Sequence, residues 1–419
     1  MFTPDPAQSA IIVGAGHAGV QTAESLRESG WKGRIVLIEN EEHLPYQRPP
    51  LSKDHLDLAK PPTPLPLRAE SYFGQNRIEL RTGTNVQSID VHDRSVLLSD
   101  GSRESFTKLV LATGASNRIL QVPGADLAGV AGLKTLDDAR RLRGLLERAS
   151  NVVVVGAGFI GLEFAAAARA VGKNVTVLEF ADRPMARALS PIMSDFFGRH
   201  HAEHGVDLRL GEGIAAFTGS PDGNVVSAVS SSGAEYPADL VVVGVGVVPN
   251  TALAEASGLL VENGILVDGS LRTSDPDIYA VGDCTSFPGR SGLGRLRLES
   301  VQNATDQARY AARRIAGLEP IPYEPVPWFW SIQGGARLQI AGLSSPGNQT
   351  VVRGDVAAGG FSVFCFDGDQ LVAVESVNKP ADHVAARKLL AAGTHVTPTQ
   401  CRDLHFDLKN AAASTAVAG

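Results

Sequence analysis

Two short glycine-rich stretches hold the residues in this chain best suited to chemistry. Gly14-Ala15-Gly16-His17-Ala18-Gly19 and Gly156-Ala157-Gly158-Phe159-Ile160-Gly161 both read G-x-G-x-x-G. In such a turn the first glycine makes the tight bend, and the second lets a pyrophosphate approach the backbone. The third allows the following helix to pack on the preceding strand. About twenty residues past each turn stands an acid, Glu39 and Glu179, whose carboxylate is placed to accept hydrogen bonds from ribose hydroxyls. Two such sets predict two dinucleotides, a bound FAD and an exchanging NAD(P)H, with hydride passing from nicotinamide to flavin.

Both turns need a strand before them and a helix after. Ile11 to Val13 and Val152 to Val155 are apolar runs that read as buried parallel strands. Helical pattern follows over 20–29 and 162–171, and a helix N-terminus offers free N–H groups and partial positive charge to a diphosphate. Second strands over 34–38 and 175–178 end at the two acids. A further buried strand, 109–115, ends in small residues, Ala112, Thr113 and Gly114 among them, that permit close backbone approach to a ligand, and 240–250 reads as a buried strand resembling it. A short strand over 278–281 places Asp283 at its carboxyl edge for a hydroxyl contact, the alternative being a plain turn residue.

Three prolines between 45 and 50 keep that loop extended until Leu51. Its Arg48 and Lys53 bring cations within reach of phosphate and an electron-rich ring, or else form a solvated basic loop. From about Pro325 the texture changes to aromatic residues, short strands and a helix over 381–390. Trp328-Phe329-Trp330 suits a stacking or contact surface. The fold class is therefore α/β, with two Rossmann-like dinucleotide-binding domains and a C-terminal α+β domain. The tail, 410–419, reads as frayed.

The 419 residues, 43 % of them hydrophobic, supply several cores, and a net charge of −7 argues against general nucleic-acid affinity. No apolar run reaches the ~20 residues that cross a bilayer, and the first ten residues lack a basic or hydrophobic leader, so the expectation is a cytoplasmic protein without membrane contact. Cys284, Cys365 and Cys401 are far apart in sequence, which offers neither a redox dithiol nor a zinc knuckle, and no metal site is expected. Electrons must leave the flavin directly. Glu179 favours NADH over NADPH, because a 2′-phosphate would meet its charge; Arg183, four residues on, could soften that rejection.

In combination, GAGHAG, LPYQRPPLSK, LATGA, GAGFIGLEFAAAARA, VGVGVVPN, AVGDC, ESVQNATDQAR and PWFWS resemble the putidaredoxin-reductase family over residues 9–409. Its members are FAD-containing, NADH-dependent ferredoxin reductases that serve cytochrome P450s and ring-hydroxylating oxygenases. The resemblance implies a glutathione-reductase-like arrangement: a discontinuous FAD domain (1–120 and 246–325), an inserted NAD domain (121–245) and a C-terminal domain (326–419). By motif, Gly14, Gly16, His17, Ala18, Gly19 and Glu39 hold the adenosine half of FAD. Arg48 and Lys53 lie beside its pyrophosphate and isoalloxazine; Ala112, Thr113, Gly114 and Asp283 line the same cofactor, with Val301 and Trp330 near the ring. Gly156, Gly158, Phe159, Gly161 and Glu179 bind NAD, while Ile160 and Glu163 approach the nicotinamide. Lys53, Glu163 and Trp330 are catalytic only in positioning the two rings.

The implied partner is a [2Fe–2S] ferredoxin docking near Trp328, Trp330, Arg309, Arg387, Lys388 and Lys409. Where relatives commonly carry an acid after FWS, this chain has Ile332, which bears on partner choice. Rubredoxin reductase and NADH oxidase are alternatives on the same scaffold. A redox-sensing protein of the apoptosis-inducing-factor type is a third, disfavoured because no basic tail or long insertion is present.

Overall fold

Continuous apolar runs, with no polar alternation, suit a parallel sheet covered on both faces. In the computed structural model, which describes residues 8–290, 294–319 and 321–414, they form two such sheets. The chain divides into two units. The first comprises the described residues up to Gln47, Pro64–Ser116 and Val247–Pro325; the second comprises Arg48–Thr63, Asn117–Gly246 and the described residues from Val326 onward.

The first unit's parallel sheet has the order Ile78–Arg81, Arg34–Ile38, Ser9–Val13, Lys108–Leu111, Ile278–Ala280. Ile11, Ile12, Val36, Leu37, Leu109 and Val110 are fully buried in its core. Helix His17–Glu28 packs against helix Val301–Ile315, whose N-cap Ser300 side chain accepts the Asn303 N–H at 3.1 Å. The second unit repeats the order with Val206–Leu210, Asn174–Glu179, Asn151–Val155, Leu240–Val243, Val130–Gly132. It also holds an antiparallel sheet in the order Trp328–Gln333, Ala336–Gly342, Gln370–Val377, Gly360–Asp367, Gln349–Asp355. Helix Pro380–Ala392 buries Ala386 and Leu389 against Phe364, Phe366 and Val374 of that sheet. The α/β class with an α+β C-terminal part is as the sequence predicts.

Several boundaries differ from expectation. Both leading helices begin earlier, at His17 and Phe159, because Gly16 and Gly158 are extended N-caps and the following residues already turn. The proline stretch does not stay extended: Pro49–Ser52 is a 3₁₀ turn, since proline is tolerated at the first helical positions where its missing N–H is not needed. The ladder of the 109–115 strand ends at Leu111, and Ala112 to Gly114 leave it. The tail is not frayed over 410–414. Leu408–Ser414 is helical, with Leu408 and Ala412 seated four apart in the C-terminal core; residues 415–419 lie outside the described residues. No helix among the described residues is long and apolar enough to cross a membrane.

Candidate functional site

At the first turn the three glycines do different work. Gly14 has φ +99°, and a Cβ there would lie 2.3 Å from the Ala112 carbonyl oxygen. A Cβ at Gly19 would lie 1.8 Å from the Gly14 oxygen, so helix and turn touch backbone to backbone. Gly16 meets nothing within 4 Å, which leaves its backbone open to a ligand. Glu39 is 8 % exposed and its Oε2 accepts the Ala15 N–H at 2.6 Å, bracing the turn from the end of the next strand. Thr113 Oγ1 donates to the Asn250 carbonyl at 2.7 Å, and Asn250 Nδ2 returns a bond to the Thr113 carbonyl at 2.7 Å. Gly282 N–H donates to Gln307 Oε1 at 2.7 Å, and a Cβ at Gly282 would sit 3.1 Å from that of Ala18, which sets Asp283 close to the helix start. The structure thus gathers Gly14, Gly16, His17, Ala18, Gly19, Glu39, Ala112, Thr113, Gly114 and Asp283, with Val301 opening a helix of the same unit. An open middle glycine, helix N–H groups and a carboxylate fit the diphosphate and ribose of FAD.

The second turn repeats this geometry. Gly156 has φ +102° and its Cβ would lie 2.6 Å from the Gly244 oxygen; at Gly161 the clash would be with the Gly156 oxygen at 2.1 Å. Around Gly158 the nearest atom is the Gly244 oxygen at 4.0 Å. Glu179 Oε2 accepts the Ala157 N–H at 2.6 Å and Oε1 accepts the Ala181 N–H at 2.8 Å. These donors leave acceptor capacity on both oxygens, so the set fits the NAD adenosine ribose. Arg183 is held by three acceptors. Its Nη1 donates to the Leu189 carbonyl and Ser194 Oγ, both at 2.7 Å, and its Nη2 to the Ala186 carbonyl at 2.8 Å. The guanidinium ties its loop to the helix Pro191–Glu203.

Lys53 and Glu163 come together in the second unit. Arg143 holds the segment bearing Lys53 by donating to the carbonyls of His55, Asp57, Leu58 and Lys60, while Arg48 Nη1 donates to the Lys134 carbonyl at 2.7 Å. Glu163 is 4 % exposed. Its Oε2 accepts Lys53 Nζ and Ser52 Oγ, each at 2.6 Å, and its Oε1 accepts Ser331 Oγ at 2.7 Å. A buried carboxylate held by three donors, one of them cationic, is a stable and strongly directional arrangement. Gln333 Nε2 donates to Ser331 Oγ at 3.1 Å, and Gln333 Oε1 accepts His201 Nε2 at 2.8 Å. Burial pushes the His201 imidazole down to about 4, so it is a neutral donor here.

Sequence reasoning missed Ser52, Ser331, Gln333 and His201. A signal for two of them existed: on strand Trp328–Gln333, Ser331 and Gln333 alternate with Ile332 and share the face of Phe329. Phe329 meets Phe159 at a ring distance of 4.6 Å. Trp328, Trp330 and Ile332 lie on the other face; the two indoles are 5.6 Å apart, and the Arg387 guanidinium sits 4.4 Å from the Trp328 ring. Lys388 and Lys409 are exposed in the same unit. Arg309, in the first unit, is paired with Asp306 at 3.2 Å and with Gln21 Oε1 at 3.1 Å.

Residues 8–308 match the family model described as pyridine nucleotide-disulphide oxidoreductase, and residues 328–412 match the reductase C-terminal model. The chain belongs to the pyridine nucleotide-disulphide oxidoreductase family. Membership makes it a flavoprotein oxidoreductase with FAD and NADH as cofactors. This oxidoreductase is 50 % identical to rhodocoxin reductase of Rhodococcus erythropolis over 97 % of its own length and 94 % of the relative's. Among solved structures it is similar to the ferredoxin reductase for the CYP199A2 system from Rhodopseudomonas palustris, with TM-score 0.94, 48 % identity, and 97 % and 100 % of the two chains covered. The covalent putidaredoxin reductase–putidaredoxin complex gives TM-score 0.93 at 38 % identity over 98 % and 100 %. In this oxidoreductase the disulphide of the family name has no counterpart: Cys284, Cys365 and Cys401 are all free and buried. Burial pushes each thiol away from ionisation, Cys401 up to about 12, so none is a ready thiolate.

Proposed function

We propose that this oxidoreductase passes electrons from NADH through FAD to a [2Fe–2S] ferredoxin that serves a cytochrome P450 or a ring-hydroxylating oxygenase. One observation carries the reading: a duplicated dinucleotide cradle in a chain whose thiols are all buried and protonated, so that reducing power has no dithiol to visit. FAD, when bound, supplies acceptance of a hydride pair and release of single electrons, which an iron–sulfur cluster takes one at a time.

The chain's own residues bind and orient. Gly14, Gly16, Gly19, Glu39 and Asp283 hold FAD in the first unit, and Gly156, Gly158, Gly161 and Glu179 hold NADH in the second. Ile160 at the helix start faces the nicotinamide end, and Glu163 fixes the Lys53 ammonium as a rigid cation there. Trp328, Trp330, Arg387, Lys388 and Lys409 receive the acceptor. Because the protein is acidic overall, attraction must come from such a local basic patch. Three free, buried cysteines suit a reducing cytoplasm.

The test is NADH-driven reduction of a [2Fe–2S] ferredoxin, a rubredoxin, a dithiol protein and oxygen, across a salt series. Ferredoxin should be reduced fastest, and its turnover should fall as salt shortens the Debye length below about 8 Å. Charge reversal at Lys409 should raise the KM for ferredoxin and spare ferricyanide. Faster reduction of rubredoxin or oxygen than of any ferredoxin sinks the proposal.

A further inference from the structure

The most solvent-exposed aromatic side chain in the second dinucleotide unit is Phe180, the residue directly after Glu179. It is 82 % exposed, although burying a phenyl ring is strongly favourable and the core of the same unit takes phenylalanines fully. The loop that carries it is not loose. Ala181 N–H is held by Glu179 Oε1 at 2.8 Å, the Ala181 carbonyl accepts the Gly211 N–H at 2.9 Å, and the Glu179 carbonyl accepts the Glu212 N–H at 2.8 Å. The Phe180 ring edge stands 3.2 Å from where a Cβ at Gly213 would be, so the missing side chain at 213 gives the ring its seat. Leu210, the register partner of Glu179 on the outer neighbouring strand, is also exposed and shares the face of Glu179. A fixed aromatic with open surface therefore directly follows the acid at the strand end, and an exposed aliphatic side chain pairs with that acid across the sheet.

The geometry points to Phe180 as the stacking platform for the adenine of NADH. The reasoning is positional. A diphosphate occupies the turn at Gly156–Gly158, and Glu179 takes the adenosine ribose hydroxyls. The base hangs from the ribose on the side away from the diphosphate, which puts it over the loops that follow strands Asn174–Glu179 and Val206–Leu210. Phe180 occupies the first of those loops. A purine stacks on an aromatic face through dispersion and quadrupole terms that need no hydrogen-bond reading. The assignment rests on the NADH reading of the second turn and adds a residue that fixes coenzyme affinity.

The experiment uses the oxidised, FAD-loaded protein with two probes. ADP-ribose contains the adenine and lacks nicotinamide; reduced nicotinamide mononucleotide is the converse. Phe180→Ala should weaken ADP-ribose binding, measured by calorimetry, roughly five- to a hundredfold, the range of base–aromatic stacking. The KM for NADH should rise in step, while kcat/KM for the mononucleotide stays within about twofold. Phe180→Trp should bind ADP-ribose at least as well as the parent, and Phe180→Leu should resemble the alanine variant. Unchanged ADP-ribose affinity in Phe180→Ala, full affinity in Phe180→Leu, or a parallel loss with the mononucleotide each overturns the assignment. Parent protein that binds no ADP-ribose overturns the NADH reading as well, which separates the two failures.

Discussion

The two glycine turns are near copies in backbone and unlike in surroundings. Each has a positive-φ first glycine against a carbonyl, an open middle glycine, and a carboxylate on the N–H of the residue between them. Yet Ala18 in the first is 7 % exposed beneath Gly282, whereas its counterpart Ile160 is 46 % exposed. Glu39 is buried, and Glu179 is half-buried and followed by a solvent-facing ring. The fifth strand of the first sheet ends in Gly282-Asp283 over the turn, and the fifth strand of the second, Val130–Gly132, ends in Leu133-Lys134. On the proposed assignment, similar hydrogen bonding with different coverage would separate a cofactor that stays from one that comes and goes.

Breaking each turn should break only its own ligand. Gly19→Ala, whose Cβ meets backbone at 1.8 Å, should yield protein without FAD. Gly161→Ala should keep its flavin absorbance while the KM for NADH rises about a hundredfold, the equivalent of about 2.8 kcal/mol. Retained FAD in the first variant would contradict the division of roles.

The two acids should differ in the same way. Glu179→Ala should cost NADH about ten- to a hundredfold in kcat/KM, the range of a hydrogen bond to a charged group, and spare NADPH. Discrimination between the coenzymes should therefore collapse in the variant and be strong in the parent, whose Arg183 is committed elsewhere. Comparable kcat/KM for both coenzymes in the parent removes the assignment of Glu179.

Mild acid should separate the units by stability. His201 and His383, both in the second unit, are held neutral, with burial pushing each down to about 4. A folded pKa below the unfolded value of about 6.5 means that the unfolded chain binds more protons between those limits. Stability is then full above about 6.5 and falls as pH drops toward 4, by about 3 kcal/mol for His201. Glu375 works in the opposite sense: burial raises its carboxyl, so the folded form gains relative stability as pH falls through that raised value. The readout is emission from Trp328 and Trp330 during acid titration, in protein whose third tryptophan, Trp31 of the first unit, is replaced by phenylalanine. His201→Gln should flatten the response, and an unchanged slope refutes the role of that imidazole.

The smallest effect belongs to the cysteines. Joint replacement of Cys284, Cys365 and Cys401 by serine should leave NADH-to-ferricyanide turnover within a few-fold in protein that folds and retains FAD. Lost turnover in such protein reinstates a thiol mechanism.

Much of this was legible in the sequence, because glycine spacing and terminal acids are local signals. Gly14 to Gly19 and Glu39 lie within one strand–helix–strand unit, so their roles follow from adjacency. The contacts of Glu163 do not. Ser52, Ser331 and His201 reach it, directly or through Gln333, from segments far apart in the chain; strand alternation gave Ser331 and Gln333 a face, but nothing local named their partner. The surroundings of Arg183 were hidden for a related reason: its distance from Glu179 was visible, and the three acceptors that occupy it were not. Phe180 shows the opposite case. Its type and place were readable from the start, and only its exposure gave them meaning.

The way the second unit is threaded has a consequence for synthesis. It draws on Arg48–Thr63, on Asn117–Gly246 and on the described residues from Val326 onward. A ribosome releases the Lys53 segment long before Arg143, which clamps its carbonyls, and delivers Ser331 for Glu163 only near the end. The first unit is likewise open until Pro325 has emerged. The first unit can close only late in synthesis and the second only near its end, so the nascent polypeptide carries unpaired apolar strands for most of its translation.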